Sequence, residues 1–303
     1  MEEKNLFTHV GPLDKKDHTE YAYVSFWGDV GRRFFSSKTT ILCLAVLVII
    51  FLGCLIIPAL NADAITGVNL LAINKKPGSE YLMGTDRYGH DVFIKGWAGG
   101  RVSFLVGFVA AICQAIIGVI VGSIAGYIGG KVDMIIMRIV DIMIAIPYMI
   151  VVLVIQVVAG RGIGTIILAL VITGWLNTAR LTRGQILQLK NEDYVMAAQS
   201  LNVSGATIIF RHLLPNILSV ILVSVTMAIP SAMFSEAFLS FIGMGTSDVS
   251  WGSLIRTGMD VRALAPWQLI WPGILLAATM LCIQLLGDSL RDALDPKLRR
   301  WSP

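Results

Sequence analysis

Residues 193–216 read DYVMAAQSLNVSGATIIFRHLLPN, a polar, small-residue-rich segment set between two strongly apolar runs. Tyr194, Ala197/Ala198 and Leu201 fall on one face at helical period, with Asn191 placed to cap that helix. Small residues at 197 and 198 let such a helix lie close against another backbone. Asn202 suits a helix end because asparagine tolerates the left-handed conformation. Ser204 is placed to cap a second short helix running through Ile208, Ile209 and Phe210 to His212. Pro215 then opens the next apolar run, at a first-turn position where its missing N–H costs nothing. The segment therefore predicts two short helices joined by a sharp turn. A rigid knob of this kind suits docking into a partner's groove.

The surroundings decide what the knob stands on. The 303-residue chain is 55% hydrophobic and 15% charged, with a mean hydropathy of +0.74; soluble domains average roughly 25% charged residues. The apolar residues gather into six candidate spans at about 40–60, 104–126, 139–159, 163–182, 215–236 and 268–287. Each is near the ~20 residues that cross a bilayer core, so the chain reads as an all-α polytopic membrane protein. Cys43, Cys54, Cys113 and Cys282 lie in these runs without CxxC spacing and read as buried small hydrophobes. The first 38 residues are polar and do not resemble a cleaved signal peptide.

Basic residues orient the spans. With a cytoplasmic N-terminus, 16 of the 24 Lys and Arg fall inside and 8 outside. Both termini and the opening segment are then cytoplasmic. The expected organisation is a cytoplasmic segment 1–38, a first span 39–60 and an external loop 61–103. A core follows at 104–287 with a cytoplasmic loop at about 183–214, and a tail at 288–303. Residues 237–267 form a second external connection. Phe26, Trp27, Val30 and Phe34 recur at helical spacing beside Arg32 and Arg33, which predicts an amphipathic helix at the membrane interface.

Enzymatic signatures are missing. GYIGGKV has neither the spacing nor the hydroxyl of a phosphate loop, and there is no HExxH or GxSxG. Energy for any work done by this chain must come from another polypeptide. The net charge of +4 is explained by placement about the membrane, so no nucleic-acid partner is expected.

Residues 193–216 resemble the EAA loop of binding-protein-dependent ABC importer permeases, whose pattern is E-A-A, three residues, G, nine residues, then I-x-L-P. It falls here on Met196, Ala197, Ala198, Asn202, His212, Leu214 and Pro215. Met196 replaces the glutamate and Asn202 the glycine. MGTDRYGHDVF (83–93), SEAFLSFIGMGTSDVSWGSLI (235–255) and GDSLRDALDPKLR (287–299) resemble further segments of the oligopeptide, dipeptide and nickel branch, with His90 in place of the usual arginine. Their order resembles the C-type permease of the pair that forms such importers.

The resemblance implies six transmembrane helices: a five-helix type I (MetI-like) importer core plus one N-terminal helix, in a bacterial cell membrane. It implies coupling to ATPase subunits through Tyr194, Met196, Ala197, Ala198, Leu201, Asn202, His212, Leu214 and Pro215. It implies a homologous second permease, two cytoplasmic ATPases that bind ATP and Mg, an extracytoplasmic binding protein and a peptide substrate; this chain itself binds no cofactor. Dipeptides, nickel or another small solute are alternative cargoes. A secondary transporter or channel is the rival class, disfavoured because charged relay residues are scarce in the spans.

Other residues carry weaker readings. Gln114, Gln156, Asn177 and Gln284 either line a path or act as interhelical glue. Glu236, at the outer end of the fifth span, either closes an external gate or sits in headgroup water. Arg138 and Asp141, at i,i+3, read first as a structural ion pair. Asp86, His90 and Asp91 suggest an external metal site only weakly, since no ligand geometry repeats. Gly118, Gly122 and Gly126 form overlapping GxxxG motifs, which predict close packing on a neighbouring helix of this chain or of a partner.

Overall fold

Helices account for nearly every ordered element in the computed structural model, which describes residues 26–62, 65 and 67–295. In chain order they are α1 (Phe26–Ser36), α2 (Lys38–Leu60), α3 (Val92–Ile128), α4 (Gly130–Ala145), α5 (Tyr148–Ala159), α6 (Ile163–Leu189), α7 (Asp193–Ser200), α8 (Gly205–Phe241), α9 (Trp251–Asp260) and α10 (Trp267–Leu294). No strand is present among the described residues; Thr85 and Asp91 form one isolated bridge. Helices α2, α3, α6, α8 and α10 are each long and apolar enough to cross a membrane, and α4 with α5 makes a sixth, broken span bent by 85°. The basic residues Lys4, Lys15, Lys16, Lys297, Arg299 and Arg300, and most of the terminal segments, lie outside the described residues.

The break has a local cause. Pro147 lacks an N–H and disfavours the helical region for the residue before it, and Ile146 is extended at φ −79°, ψ 122°. The expected straight span at 139–159 is therefore two helices at an angle. Helix α3 departs in the other direction. Asp91 accepts from the N–H groups of Phe93 (2.8 Å) and Ile94 (3.4 Å), so the helix starts at Val92, well before the apolar run at 104. Its 37 residues reach ~55 Å at 1.5 Å each, beyond a bilayer core.

Packing around α3 organises the bundle. Added Cβ atoms would lie 2.5 Å from Thr178 at Gly118, 2.4 Å from the Ala179 carbonyl at Gly122 and 2.9 Å from Ile186 at Gly126. The glycine stripe thus seats α3 on α6 of the same chain. Nearer the start of α3, α2 packs through Ile50 and Cys54 onto Trp97 and Phe104. Here Pro58 cannot donate to the carbonyl of Cys54 one turn back. Arg101 supplies the donor: its Nε reaches the Cys54 oxygen at 2.7 Å and a second nitrogen reaches Leu55 at 2.6 Å. An arginine counted as an external charge is thereby tied into the α2–α3 contact.

One end of the bundle is a cap built from residues 67–91 and 242–266. Ser250 and Ser253 form a reciprocal cap that starts α9, and the buried Trp251 indole donates to the Gly96 carbonyl at 2.8 Å. Gln268 donates to Asn74 Oδ1 and to the Thr85 carbonyl, both at 2.9 Å. The other end carries the 190–204 loop, the end of α10 and α1. Helix α1 covers the expected Phe26–Phe34 stretch: Val30 is buried and Phe34 packs against the cluster of Leu290, Ala293 and Leu294, while Phe26, Trp27 and Phe35 are exposed.

Candidate functional site

The loop end presents the knob. Helix α7 closes with two hydrogen bonds, Val203 N–H to the Ala198 carbonyl (3.1 Å) and Asn202 N–H to Gln199 (2.9 Å). Together these make a Schellman motif, which requires a left-handed residue at its corner. Asn202 fills that corner at φ 57°. Ser204 then accepts from the Thr207 N–H at 3.3 Å, as its position in the sequence predicts.

Three local expectations are corrected. Glu192, not Asn191, occupies the cap position of α7, and it makes no side-chain cap. The second short helix does not stop at His212 but runs on through a π turn as α8, and Pro215 sits in the first turn of the α-helical segment that follows. A π-helical turn at Ile208–Leu213 accommodates it, the Leu214 N–H reaching back to the Ile209 carbonyl. Widening the turn just ahead of proline relieves the clash an α-helix would impose. Finally, Ala198 does not share the exposed face of Tyr194, Ala197 and Leu201: it is buried with Val195, Ile186, Ile208, Leu213 and Ile217.

The knob is fixed to the bundle at its base. Lys190 donates to the Tyr127 carbonyl at 2.6 Å, and the Tyr127 ring lies where Gly205 leaves room. Asn216 donates to the His212 carbonyl (2.6 Å) and to the Tyr194 hydroxyl (3.4 Å). Desolvation and the Glu192 carboxylate push the Tyr194 hydroxyl above its ordinary pKa, so it stays protonated. Beyond this base α7 presents apolar residues to the outside: Leu201 is 80% exposed and Met196 48%. Leu214 is half-buried, and Pro215 is exposed.

The basic residues near the loop do not pair as expected. Asp141 bonds Arg180 of α6 at 2.5 Å, not Arg138, and Asp133 bonds Arg183 through two contacts of 2.5 and 2.6 Å. Helix α4 lies beside α6 at this end, so its carboxylates reach across to another helix. Sequence spacing alone favoured a partner on the same helix.

A polar cavity of about 380 Å³ opens between α3, α5, α6 and α8. Gln114 and Asn177 both border it, with Thr173, Ser224, Ser231 and Ser235. Gln114 also donates to the Leu170 carbonyl at 3.0 Å, so it joins helices and lines the cavity at once. The serines were missed one at a time, yet Ser224, Ser231 and Ser235 recur at spacings of seven and four, which puts their hydroxyls on one helical face. The other candidates lie elsewhere. Gln156 is buried and donates to the Met244 carbonyl under the cap. Gln284 is exposed on α10, away from the buried face carrying Ile283 and Gly287. Glu236 is fully buried and accepts from Ser103 (3.0 Å) and Ser240 (2.8 Å). The cap covers it, so it meets neither headgroup water nor the cavity.

In the cap, Asp86 accepts from Lys95 (2.7 Å) and from the N–H groups of Tyr88 (2.8 Å) and His90 (2.9 Å). The His90 ring lies 3.0 Å from the same carboxylate. Burial alone would raise the Asp86 pKa, but Lys95 and these N–H groups outweigh it and hold the carboxyl below its ordinary value. Asp91 is occupied as the cap of α3. The three residues are thus used in holding the loop, and among the described residues no group of three His, Cys, Asp or Glu is placed to hold a metal.

Known proteins match this chain along most of its length. Residues 118–300 match the family described as binding-protein-dependent transport system inner membrane component. Residues 25–77 match the N-terminal TM domain of oligopeptide transport permease C. The oligopeptide transport system permease protein of Bacillus subtilis (strain 168) is 42% identical over 279 residues, 91% of this chain and 92% of that protein. The dipeptide transport system permease protein of the same strain is 40% identical over 287 residues, 94% and 90% of the two chains. The oligopeptide permease of Escherichia coli (strain K12) is 40% identical over 279 residues, 91% of this chain and 92% of that protein. Among solved structures, an inward-facing MetNI methionine ABC transporter matches with a TM-score of 0.56 at 20% identity, over 65% of this chain and 94% of that one.

Proposed function

We propose, from the premise that this chain belongs to the family of binding-protein-dependent transport system inner membrane components, that it is one of two permease subunits of an ATP-driven oligopeptide importer. It forms half of the translocation path and receives force through residues 193–216. Two cytoplasmic ATPases bind ATP and Mg, a homologous permease supplies the other half, and an external binding protein delivers the peptide. Both termini face the cytoplasm.

The observation that carries this reading is the knob: exposed Leu201 and Met196 on a base hydrogen-bonded to α3 and α8. A groove on an ATPase that changes shape with nucleotide moves such a body as a unit. Its differential contacts in the two states are what shift the permease between inward-open and outward-open forms. Peptide as the cargo is supported by relatives named for oligopeptide and dipeptide transport. The second of those names makes dipeptides the alternative cargo.

Site-directed crosslinking tests the coupling. Leu201→Cys in the assembled complex is expected to crosslink to an ATPase subunit, with a yield that changes when ATP is added. A complex that assembles and hydrolyses ATP while this cysteine reaches no ATPase overturns the assignment.

A further inference from the structure

A second cavity, of about 460 Å³, lies between α6, α8 and α10 toward the loop end and is bordered by Leu181, Ser219 and Arg291. It shares two lining residues with the polar cavity above it, Ser224 and Met227. These two residues border both cavities, where a passage between them would have its neck. Met227 has a close neighbour on α10: an added Cβ at Gly287 would stand 3.0 Å from its Cε and 3.3 Å from its Sδ. The end of the methionine side chain therefore rests in the notch left by the missing side chain of Gly287. An unbranched thioether turns about three bonds, so it can leave such a notch at little cost.

We infer that Met227 is the size gate of this half of the path, held open by resting on Gly287. The inference rests on the proposed function, because it takes the joined cavities as the route of the peptide. In the parked position the neck is bounded by the Ser224 hydroxyl and admits side chains moving toward the loop end. Any side chain at 287 displaces the methionine tip away from α10, toward α6 and into the neck. The two cavities are otherwise lined by hydroxyl, amide and apolar groups, apart from Arg291 and Asp295 at the loop end. At the neck, then, steric width and not charge selects the cargo, as suits peptides of varied side chains.

Uptake by the assembled importer in proteoliposomes tests this with trialanine and triphenylalanine as probes. Gly287→Ala and Gly287→Val should lower triphenylalanine uptake progressively, the valine by roughly tenfold relative to trialanine. Met227→Ala in the Gly287→Val background should restore the ratio. Met227→Ala alone, which overpacks nothing, should raise it. An unchanged triphenylalanine-to-trialanine ratio in Met227→Ala, or a loss in Gly287→Val that Met227→Ala leaves in place, overturns the gate. Ser224→Cys and Ser231→Cys, in a background without the four native cysteines, report on the route itself. If neither reacts with a water-soluble thiol reagent in the working complex, the path reading fails and takes the gate with it. If both react while the ratio stays fixed, the gate alone fails.

Discussion

Asn202 shows how far a single residue can be read. Asparagine flanked by an alanine-rich helix and a serine cap indicates a left-handed corner, and the backbone there is at φ 57°. Gly122 was legible in kind but not in partner: the GxxxG spacing predicts a close approach, and only the fold identifies the Ala179 carbonyl as what approaches. Gly122→Leu should therefore separate α3 from α6. An overpacked contact costs about 1–3 kcal/mol, and the expected result is a lower melting temperature in detergent with less assembled complex. Asp86 carries the pH dependence. Its folded pKa lies below the ordinary 3.8, so its contribution to stability is complete above that value and is lost as pH falls through the lowered one. Limited proteolysis of the cap across that acid range should show Asp86→Asn already loosened at neutral pH and without the acid step of the parent. Pairings such as Arg180 with Asp141 were not legible, because nothing local says which helices lie side by side.

At the scale of elements, apolar run length marked the spans, but the ends followed local chemistry. The Asp91 cap carries α3 far beyond its apolar run, and Pro147 splits another run in two. The 193–216 segment was legible as a helical knob. Its inward face was not, since Ala197 and Ala198 are alike in sequence and only the packing shows that Ala198 is the buried one. This distinction separates two substitutions. Ala198 lies in the apolar seat with Val195, Ile208 and Leu213, so Ala198→Trp should unseat α7 within this chain and expose the loop to protease. Leu201→Asp changes an exposed tip, leaving protease resistance as in the parent while uncoupling ATP hydrolysis from uptake. Equal protease resistance in the two variants would contradict the assignment of faces.

For the whole molecule, the broken span, the cap and the glycine-packed α3–α6 pair surround an uncharged polar cavity, and the knob stands at the far end of two of its walls. Helix α8 links them directly, running from the knob at Gly205 past Ser224, Ser231 and Ser235. A displacement of the knob thus reaches the serine face along one continuous helix, through the π-helical turn at Ile208–Leu213 and past Pro230. The general architecture was readable from hydropathy and four ordered motifs. The cavity was not, because its hydroxyls come from helices far apart in sequence. The most direct measurement of the central claim is uptake of a labelled oligopeptide into proteoliposomes containing both permeases, the two ATPases and the binding protein. The account predicts accumulation that stops when ATP is withheld and that Leu201→Asp abolishes while ATP hydrolysis continues. Accumulation that persists without ATP, or that Leu201→Asp leaves at the parental rate, would contradict it.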